Sequence, residues 1–275
     1  MSASTTTPNR QTWLPFVIFK VKDGLYAVSS ANVRDIVILP PVVGLPNQAA
    51  EIRGVINLRG KVLPLVDLRI KLGLPAAQAE LEELMQLLRD READHHHWLA
   101  ELEASVRERR QFKLARDPHA CRFGQWYDHY QTANNLLKMT LKKMDEPHKI
   151  IHATADEVLQ LAAQGDLPGA EKLLASRREG ELAELSRLFD EARRSLRENH
   201  RELAMVLNCG TKPFAISIDQ VEAVERIPEE GIEPLPPAMS GQDAHQHWRI
   251  GKRIKTNQTV VLLDEAGLLS GTAHN

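Results

Sequence analysis

Histidine and cysteine side chains cluster in the middle of the sequence at spacings that suit a metal ion. His148 and His152 are four residues apart, so one face of a helix presents both imidazoles to the same point. Cys121 offers a thiolate, and the run HHH at 95–97 offers a further imidazole from an earlier helix. Three imidazoles and one thiolate complete a tetrahedral zinc shell. Such a shell is typical of structural or sensory zinc, because catalytic zinc keeps one position open for water.

The segments that carry these residues also match a known pattern. Alone, a histidine pair at helical spacing is common on solvated surfaces, and a lone cysteine is usually a small buried apolar side chain. Together, HHHW at 95–98, CRFGQW at 121–126 and HKIIH at 148–152 resemble the chemoreceptor zinc-binding (CZB) domain of bacteria, and the resemblance covers residues 80–200.

The resemblance implies a particular ligand set. In the CZB family the first ligand stands three residues before the aromatic residue, which selects His95 over His96 and His97. The implied zinc ligands are His95, Cys121, His148 and His152.

Composition bounds the class of protein. The 275 residues are enough for two domains of ordinary size. A net charge of -2 with mixed signs does not suggest a nucleic-acid partner. Two distant cysteines fit a reducing compartment, the polar opening segment does not resemble a signal peptide, and no apolar run reaches the length of a membrane span. We therefore expect a cytoplasmic protein with no direct membrane insertion.

The metal-site residues must be positioned by a helical region between two β-rich regions. Apolar residues recur at helical spacing from Leu81 onward, and Pro147 falls where a new helix would begin. Four antiparallel helices with short connections form a bundle, in whose interior ligands can converge. The predicted helices are 81–109, 126–143, 145–163 and 166–202.

The β-rich regions repeat one theme on either side of the helices. Gly54 and Asp67 bracket one hairpin, and Gly251 and Asp264 bracket another at the same spacing. We therefore expect each β half to form a small barrel of its own. In the first half, the pattern predicts a hairpin turn at Asp23-Gly24 and a second turn at Arg59-Gly60 in which Gly60 has a positive φ.

The segment EIRGVINLRGKVLPLVDLRIKLGL at 51–74 resembles CheW-like domains, scaffolds that couple bacterial chemoreceptors to the histidine kinase CheA. The resemblance implies an α+β protein: a CheW-like pair of five-stranded β-barrels at 13–75 and 203–271, interrupted by the CZB four-helix bundle at 80–200. It implies two partners, the regulatory domain of CheA and the cytoplasmic tip of a chemoreceptor. The partner-coupling turn then contains Asn57, Arg59 and Gly60, where the second half has Thr256 and Asn257.

Two expectations concern the chemistry around the zinc. Arg122 adds a positive charge that favours the thiolate of Cys121, and Asp94, Asp128 or Asp145 could bind the free imidazole nitrogens. Because a zinc-bound thiolate is also a target of oxidants, Cys121 is the expected redox-sensing residue.

The sequence therefore predicts a non-enzymatic signalling adaptor that senses zinc or an oxidant such as hypochlorous acid. Two alternatives stay open. A zinc hydrolase needs an open coordination site and a carboxylate base, and no HExxH motif is present. A zinc buffer would use the CheW-like domain only as an anchor. The sequence also leaves open a homodimer through the helical bundle.

Overall fold

The computed structural model describes residues 12–132, 134–209, 212–236 and 248–269. The chain folds into two compact units: Gln78–His200 forms one, and the chain on either side of it forms the other. The first unit is helical, whereas the second is built from two β-sheets, so the predicted α+β class is confirmed. No helix within the described ranges is long and apolar enough to cross a membrane.

The β-sheet unit contains strands from both ends of the chain, with a short helix after β6 and another after β12. The helices are α1 (Leu68–Lys71) and α7 (Glu265–Leu269). The strands before the helical unit are β1 (Trp13–Val21), β2 (Gly24–Ser29), β3 (Val33–Ile38), β4 (Val42–Val43), β5 (Ile52–Leu58) and β6 (Lys61–Asp67). Those after it are β7 (Leu203–Cys209), β8 (Lys212–Ile218), β9 (Gln220–Pro228), β10 (Glu233–Pro234), β11 (Arg249–Lys252) and β12 (Thr259–Leu262).

The two sheets have the same topology. Their strand orders are β10-β11-β12-β2-β1-β9 and β3-β7-β8-β6-β5-β4. If six is added to each strand number of the first sheet, counting on from β1 after β12, the result is the strand order of the second sheet in reverse. The repeat in the sequence is therefore also a repeat in the structure. Each sheet has five strands of at least four residues, as predicted, and a sixth strand of two residues, β10 or β4.

The prediction that each sequence half forms its own barrel is wrong. Hairpin β1-β2 of the first half pairs with β9 and β12 of the second, and β7-β8 of the second half pairs with β3 and β6 of the first. The β6–β8 pair is parallel, and parallel neighbours need a long crossover connection rather than a tight turn. The connection that leaves β6 contains the whole helical unit, so the insertion lies where a long connection is required.

The first hairpin turn lies one residue earlier than predicted. Val21 pairs with Gly24, so the turn is Lys22-Asp23, and Lys22 has the positive φ of 53°. Its N–H donates to Oδ2 of Asp219 at 2.6 Å, which stabilises this conformation. Gly24 itself has no positive φ, and a Cβ there would lie 2.6 Å from the ring of Tyr26, so a larger residue would require that ring to move.

The helical unit contains α2 (Ala77–Arg107), α3 (Arg122–Tyr127), α4 (Asn135–Ala163), α5 (Leu167–Arg177) and α6 (Ala183–Asn199). A π-helical turn, Arg178–Leu182, joins α5 to α6, so this part of the chain is one long helical segment, close to the predicted 166–202. The predicted helix 126–143 is wrong at its start: the short α3 ends at Tyr127, and Asn134 caps α4 by accepting the N–H of Leu137 at 3.0 Å.

The predicted break at Pro147 is also wrong, since α4 continues through it. A proline inside a helix removes one backbone hydrogen bond and costs about 3 kcal/mol or more. Around Pro147, however, Leu141, Met144 and Ile151 all face the core and are at most 5% exposed. Each such side chain stabilises the helix by roughly 1.5–3 kcal/mol on burial, so together they outweigh the lost bond.

Candidate metal centre

Four donor side chains from separate segments meet inside the helical unit. His95 lies on α2, Cys121 directly precedes α3, and His148 and His152 lie on α4. Their ligand atoms are all within 4.8 Å of one another, and Sγ of Cys121 is 3.2 Å from Nε2 of His148. The two alternatives to His95 lie elsewhere: His96 contacts Oγ of Ser186 at 2.8 Å, and His97 is exposed.

The orientation of two imidazoles leaves one nitrogen of each free for a metal. Nδ1 of His95 donates to the carbonyl of Arg91 at 2.6 Å, and Nδ1 of His152 donates to the carbonyl of Ala115 at 3.1 Å. In both rings Nε2 is then the unprotonated nitrogen, and it is buried without a hydrogen-bond partner. Because buried polar atoms are normally satisfied, two orphaned nitrogens beside a thiol fit a metal ion.

The carboxylates predicted to bind the imidazoles do not do so. Asp128 contacts His119 at 2.9 Å, Asp145 pairs with Lys149 at 2.7 Å, and Asp94 lies 3.4 Å from Arg91. Backbone carbonyls take this role instead. The carbonyl that holds His95 comes from its own helix four residues earlier, and such acceptors exist at every residue, so the sequence carries no signal for them.

Cys121 is positioned by a tight approach of two backbones. It is the N-cap of α3, and its Sγ accepts the N–H of Gly124 at 3.2 Å. At Gly124 a Cβ would lie only 1.9 Å from the carbonyl oxygen of Pro118. Gly124 is therefore a residue that positions Cys121. The sequence pattern alone did not single it out, although a glycine within the CRFGQW segment indicates a close backbone approach.

Aromatic rings close much of the site. Phe123 is 1% exposed and packs edge-on against His148, with ring centroids 4.9 Å apart. The indole N–H of Trp98 donates to the carbonyl of Ala115 at 2.7 Å. The ring centroid of Trp98 lies 4.9 Å from that of His152. Trp126 stacks on Tyr130, with ring centroids 4.5 Å apart, and also packs against Phe123. The ring of Phe189 packs near that of His95, with ring centroids 6.2 Å apart.

Burial keeps all three imidazoles neutral. It lowers the pKa of His148 to about 2 and that of His152 to about 4, with His95 as a further cause in both cases. The pKa of His95 is lowered as well, mainly by burial. Neutral imidazole is the form that binds metals, so these histidines are ready for an ion at neutral pH.

The pKa of the Cys121 thiol is shifted in the direction opposite to the one that the sequence predicts. Burial raises the pKa of its thiol, and the hydrogen bond from Gly124 only partly offsets this rise. The prediction that Arg122 favours the thiolate is wrong, because that side chain is 74% exposed and lies 3.9 Å from Oδ1 of Asp94. A metal ion must therefore displace the thiol proton when it binds.

The predicted partner-coupling turn lies between β5 and β6. Gly60 has a φ of 82°, which confirms the predicted positive value, and Arg59 has a φ of 53°. Oδ1 of Asn57 accepts the N–H of Gly60 at 2.9 Å, so Asn57 stabilises the turn. The guanidinium of Arg59 is 78% exposed and lies 3.6 Å from Asp35. In the other sheet Asn257 also has a positive φ, of 55°.

Fold and centre together define a class: a duplicated β-sheet unit that carries an inserted, metal-binding helical unit. The sequence profile of the CheW-like domain matches residues 15–95 and 179–273, and that of the chemoreceptor zinc-binding domain matches residues 95–159. The chain belongs to the CheW-like domain family and carries a chemoreceptor zinc-binding domain inserted within it. Zinc is the cofactor of such a domain, and the His/Cys cluster suits it.

Curated relatives match over part of their length. The chain is 38% identical to a chemotaxis protein CheW of Rhizobium meliloti over 69 residues, which are 25% of this chain and 44% of that protein. It is 36% identical to chemotaxis protein CheW of Helicobacter pylori over 75 residues, 27% and 46% of the two chains. The chain thus spans less than half the length of the curated relatives it matches. The crystal structure of scaffolding protein TtCheW from Thermoanaerobacter tengcongensis aligns over 94% of both chains at 13% identity, with a TM-score of 0.44.

Proposed function

We propose that this protein is a cytoplasmic chemotaxis adaptor that couples chemoreceptors to the histidine kinase CheA and reports zinc or oxidant through its helical unit. One observation carries the proposal: three imidazoles and one thiol converge within a unit inserted into a CheW-like domain. The curated relatives are chemotaxis proteins, and neither matched family is an enzyme family. The chain divides into CheW-like segments at 13–75 and 203–271 and a zinc-binding bundle at 80–200.

The proposed zinc ligands are Nε2 of His95, His148 and His152 and Sγ of Cys121. Two of these nitrogens are buried without a partner, which supports their assignment. Zinc, when bound, supplies the positive charge that keeps the thiol deprotonated. With four protein donors no position is left for a reacting water, which favours sensing over hydrolysis.

Cys121 is the proposed redox-sensing residue. Its raised pKa leaves the metal-free thiol protonated and therefore weakly nucleophilic at neutral pH. Thiolate character then exists mainly in the zinc-loaded state. Oxidation of this sulfur removes its negative charge, weakens one of four ligands and frees the start of α3.

The proposed partner surface is the β5-β6 turn. Asn57 and Gly60 shape it, and the exposed Arg59 presents its guanidinium to the regulatory domain of CheA. The receptor tip is the second proposed partner. The two β-turns are not chemically equivalent, because Thr256 and Asn257 stand in the other repeat.

A titration with the isolated regulatory domain of CheA tests this function. Calorimetry would compare its binding to metal-free, zinc-loaded and hypochlorous-acid-treated protein, with Cys121→Ser as the control for the thiol. If the metal centre controls the adaptor, zinc changes the affinity for the kinase domain, and the kinase domain changes the affinity for zinc by the same factor. Equal affinities in all three states would instead indicate a zinc buffer.

A further inference from the structure

A cavity of about 500 Å³ lies in the helical unit where α2 and α4 end and α5 begins. Its apolar wall consists of Val106, Leu159, Ala162, Ala163 and Leu167. Volumes of about 300–1,000 Å³ and mostly apolar walls with a few polar groups are typical of small-molecule sites. The four proposed zinc ligands do not line this cavity, so it is distinct from the metal centre.

One polar side chain at the cavity is buried and incompletely bonded. Ser105 lines the cavity and is 1% exposed. Its Oγ accepts a hydrogen bond from Nη1 of Arg110 at 3.0 Å, but its hydroxyl proton meets no acceptor among the described residues. Because buried hydroxyl groups normally find their partners, a ligand that fits here would bring an acceptor oxygen to Ser105.

Arg109 brings a positive charge to the cavity at a conformational cost. It ends α2 with a φ of 53°, in the left-handed region. Gly165 ends α4 in the same way, with a φ of 82°, and also lines the cavity. Glycine adopts this conformation without the steric cost that arginine incurs, so the turn alone does not account for an arginine at position 109. Retained backbone strain of this kind is a reason to examine what the side chain does.

The charge of Arg109 is not neutralised within the described part of the chain. Its neighbour Arg110 binds the carboxylates of Glu101 and Glu108, the latter at 2.7 Å. Arg109 is exposed and has no such partner among the described residues. A guanidinium without a carboxylate, beside a buried hydroxyl with a free proton, favours an anionic ligand with acceptor oxygens.

The helix ends do not oppose an anion here as strongly as their dipoles suggest. Two helix C-termini carry partial negative charge on their last carbonyls. The N–H of Arg110 donates to the carbonyl of Ser105 at 2.9 Å, and the N–H of Asp166 donates to that of Leu161 at 3.0 Å. These carbonyls are therefore already bonded, and the cation of Arg109 stands next to them.

We propose that this cavity binds a small apolar carboxylate. One carboxylate oxygen accepts the hydroxyl proton of Ser105, the carboxylate pairs with the guanidinium of Arg109, and the hydrocarbon part lies against Leu159 and Leu167. The site involves neither the zinc ligands nor the β5-β6 turn, so the proposal goes beyond the proposed function and does not rest on it.

A titration of the full-length, isotope-labelled protein with octanoate tests the proposal. Octanoate joins a carboxylate to a hydrocarbon chain, whereas 1-octanol has the chain without a charge and octylammonium has the opposite charge. NMR amide signals of Ser105 and Gly165 would be followed at one fixed zinc concentration. Octanoate should shift both signals saturably and bind at least about tenfold more tightly than the other two probes. No shift, or equal affinity for all three probes, would overturn the site.

Arg109→Gly separates the charge from the turn. The variant should lose at least about tenfold in affinity for octanoate, yet be at least as stable as the wild type in thermal unfolding, because glycine relieves the positive φ. Arg107→Ala is the matched control, since it removes an exposed cation that does not line the cavity, and it should keep wild-type affinity. An equal loss in both variants would indicate general attraction between charges and would contradict the site.

Two further variants test the hydroxyl and the apolar space. Ser105→Ala removes the proposed donor and should weaken octanoate binding at least about threefold. Ala163→Phe places a ring in the cavity from an exposed position and should abolish binding, whereas Ala175→Phe, at an exposed position of α5 outside the cavity, should not. Wild-type affinity in both Ser105→Ala and Ala163→Phe would overturn the proposal.

Discussion

Nε2 of His148 lies 3.2 Å from Sγ of Cys121, although one belongs to α4 and the other precedes α3. In a tetrahedral zinc site with ordinary bond lengths, a nitrogen and a sulfur ligand stand about 3.5 Å apart. The pair is therefore already close to its spacing in a loaded site. The other ligand atoms lie within 4.8 Å of one another, so the farthest pair must close by up to about 1.4 Å when zinc binds.

The ligand set can be tested by deleting one donor at a time. Replacing His95, Cys121, His148 or His152 by alanine should weaken zinc binding on the order of 100-fold, because the roughly 10–16 kcal/mol of a structural zinc site is shared by four donors. Competition against a chromogenic chelator measures the affinity. His96→Ala and His97→Ala are matched controls and should keep wild-type affinity. Loss of affinity in either control, with His95→Ala unaffected, would move the first ligand to the neighbouring position.

Gly124→Ala should damage the centre without removing a ligand. The new Cβ would overlap the carbonyl of Pro118, which is backbone and cannot rotate away, so the start of α3 must shift and take Sγ of Cys121 with it. We expect a loss of about 1–3 kcal/mol in the free energy of unfolding and weaker zinc binding. Gly180→Ala is the control, because a Cβ there meets nothing within 4 Å. Equal stability of the two variants would contradict the tight approach.

Acid should destabilise the metal-free protein through its buried histidines. Burial lowers the pKa of His148 to about 2 and that of His152 to about 4, whereas unfolded histidine titrates near 6.5. As pH falls below about 6.5, these histidines bind protons in the unfolded state but stay neutral in the folded state. The free energy of unfolding therefore falls by up to ~1.4 kcal/mol per pH unit for each histidine. The fall continues until pH reaches the folded-state pKa.

Urea unfolding of metal-free wild type and His148→Gln at pH 7.5 and 5 measures this effect. The variant should lose less stability between the two pH values, since one of the responsible groups is gone. His119→Gln is the control, because that histidine is exposed and bonded to Asp128. The same pH dependence in wild type and His148→Gln would show that this histidine does not titrate differently in the two states.

Local patterns in the sequence predict much of this molecule, and long-range pairing accounts for most of the rest. The turn at Arg59-Gly60 and the positive φ of Gly60 follow from turn chemistry, which acts over a few residues. The exchange of hairpins between the sheets depends on pairs such as Val17 with Val224, which no local pattern specifies. Pro147 misleads for a related reason: the burial that offsets its cost is visible only once the bundle is assembled.

In the metal centre, too, some features follow from the local sequence and others only from the assembled fold. Residue types and spacing predict which side chains could hold zinc, because ligand chemistry depends on side chains. The orienting groups are the carbonyls of Arg91 and Ala115, which any residue could supply. The position of Arg122 next to Cys121 in the sequence does not predict the pKa of the thiol, because burial is the largest cause of its shift.

Arg53 should stabilise the two points at which the helical unit leaves and re-enters the β-sheet unit. Its guanidinium is 2.6 Å from Glu202, just before β7, and 3.9 Å from Asp67, at the end of β6. Those carboxylates are only 10% and 5% exposed, so Arg53→Met removes from two nearly buried like charges the cation that pairs with them among the described residues. We expect a loss of about 1–3 kcal/mol in urea unfolding.

Arg34→Met is the control for this change, because the Arg34–Asp35 pair is more exposed and such pairs contribute about 0–1 kcal/mol. If Arg53→Met and Arg34→Met lose the same small amount, the cation does not stabilise the junction. Adding Glu202→Gln to Arg53→Met should restore part of the loss, since it removes one of the two unpaired charges.

Arg59→Gly separates a structural role of the β5-β6 turn from a role in partner binding. Arg59 has a φ of 53°, which costs a non-glycine residue roughly 1–2 kcal/mol, and its exposed ion pair with Asp35 returns little of that. The variant should therefore be at least as stable as the wild type in thermal unfolding. If the guanidinium binds the regulatory domain of CheA, the same variant should lose at least about tenfold in affinity, or ~1.4 kcal/mol.

Asn257→Gly is the matched control for Arg59→Gly. Asn257 has nearly the same φ, 55°, in the other sheet, so glycine relieves a smaller strain of the same kind there, because asparagine tolerates the left-handed region better than arginine, and no charge is removed from the proposed surface. It should raise stability slightly and leave kinase binding unchanged. If both glycine variants bind the regulatory domain like the wild type, the guanidinium of Arg59 is not a contact. If both lose affinity equally, rigidity of the turns matters rather than the charge, because the two substitutions share only their effect on the backbone.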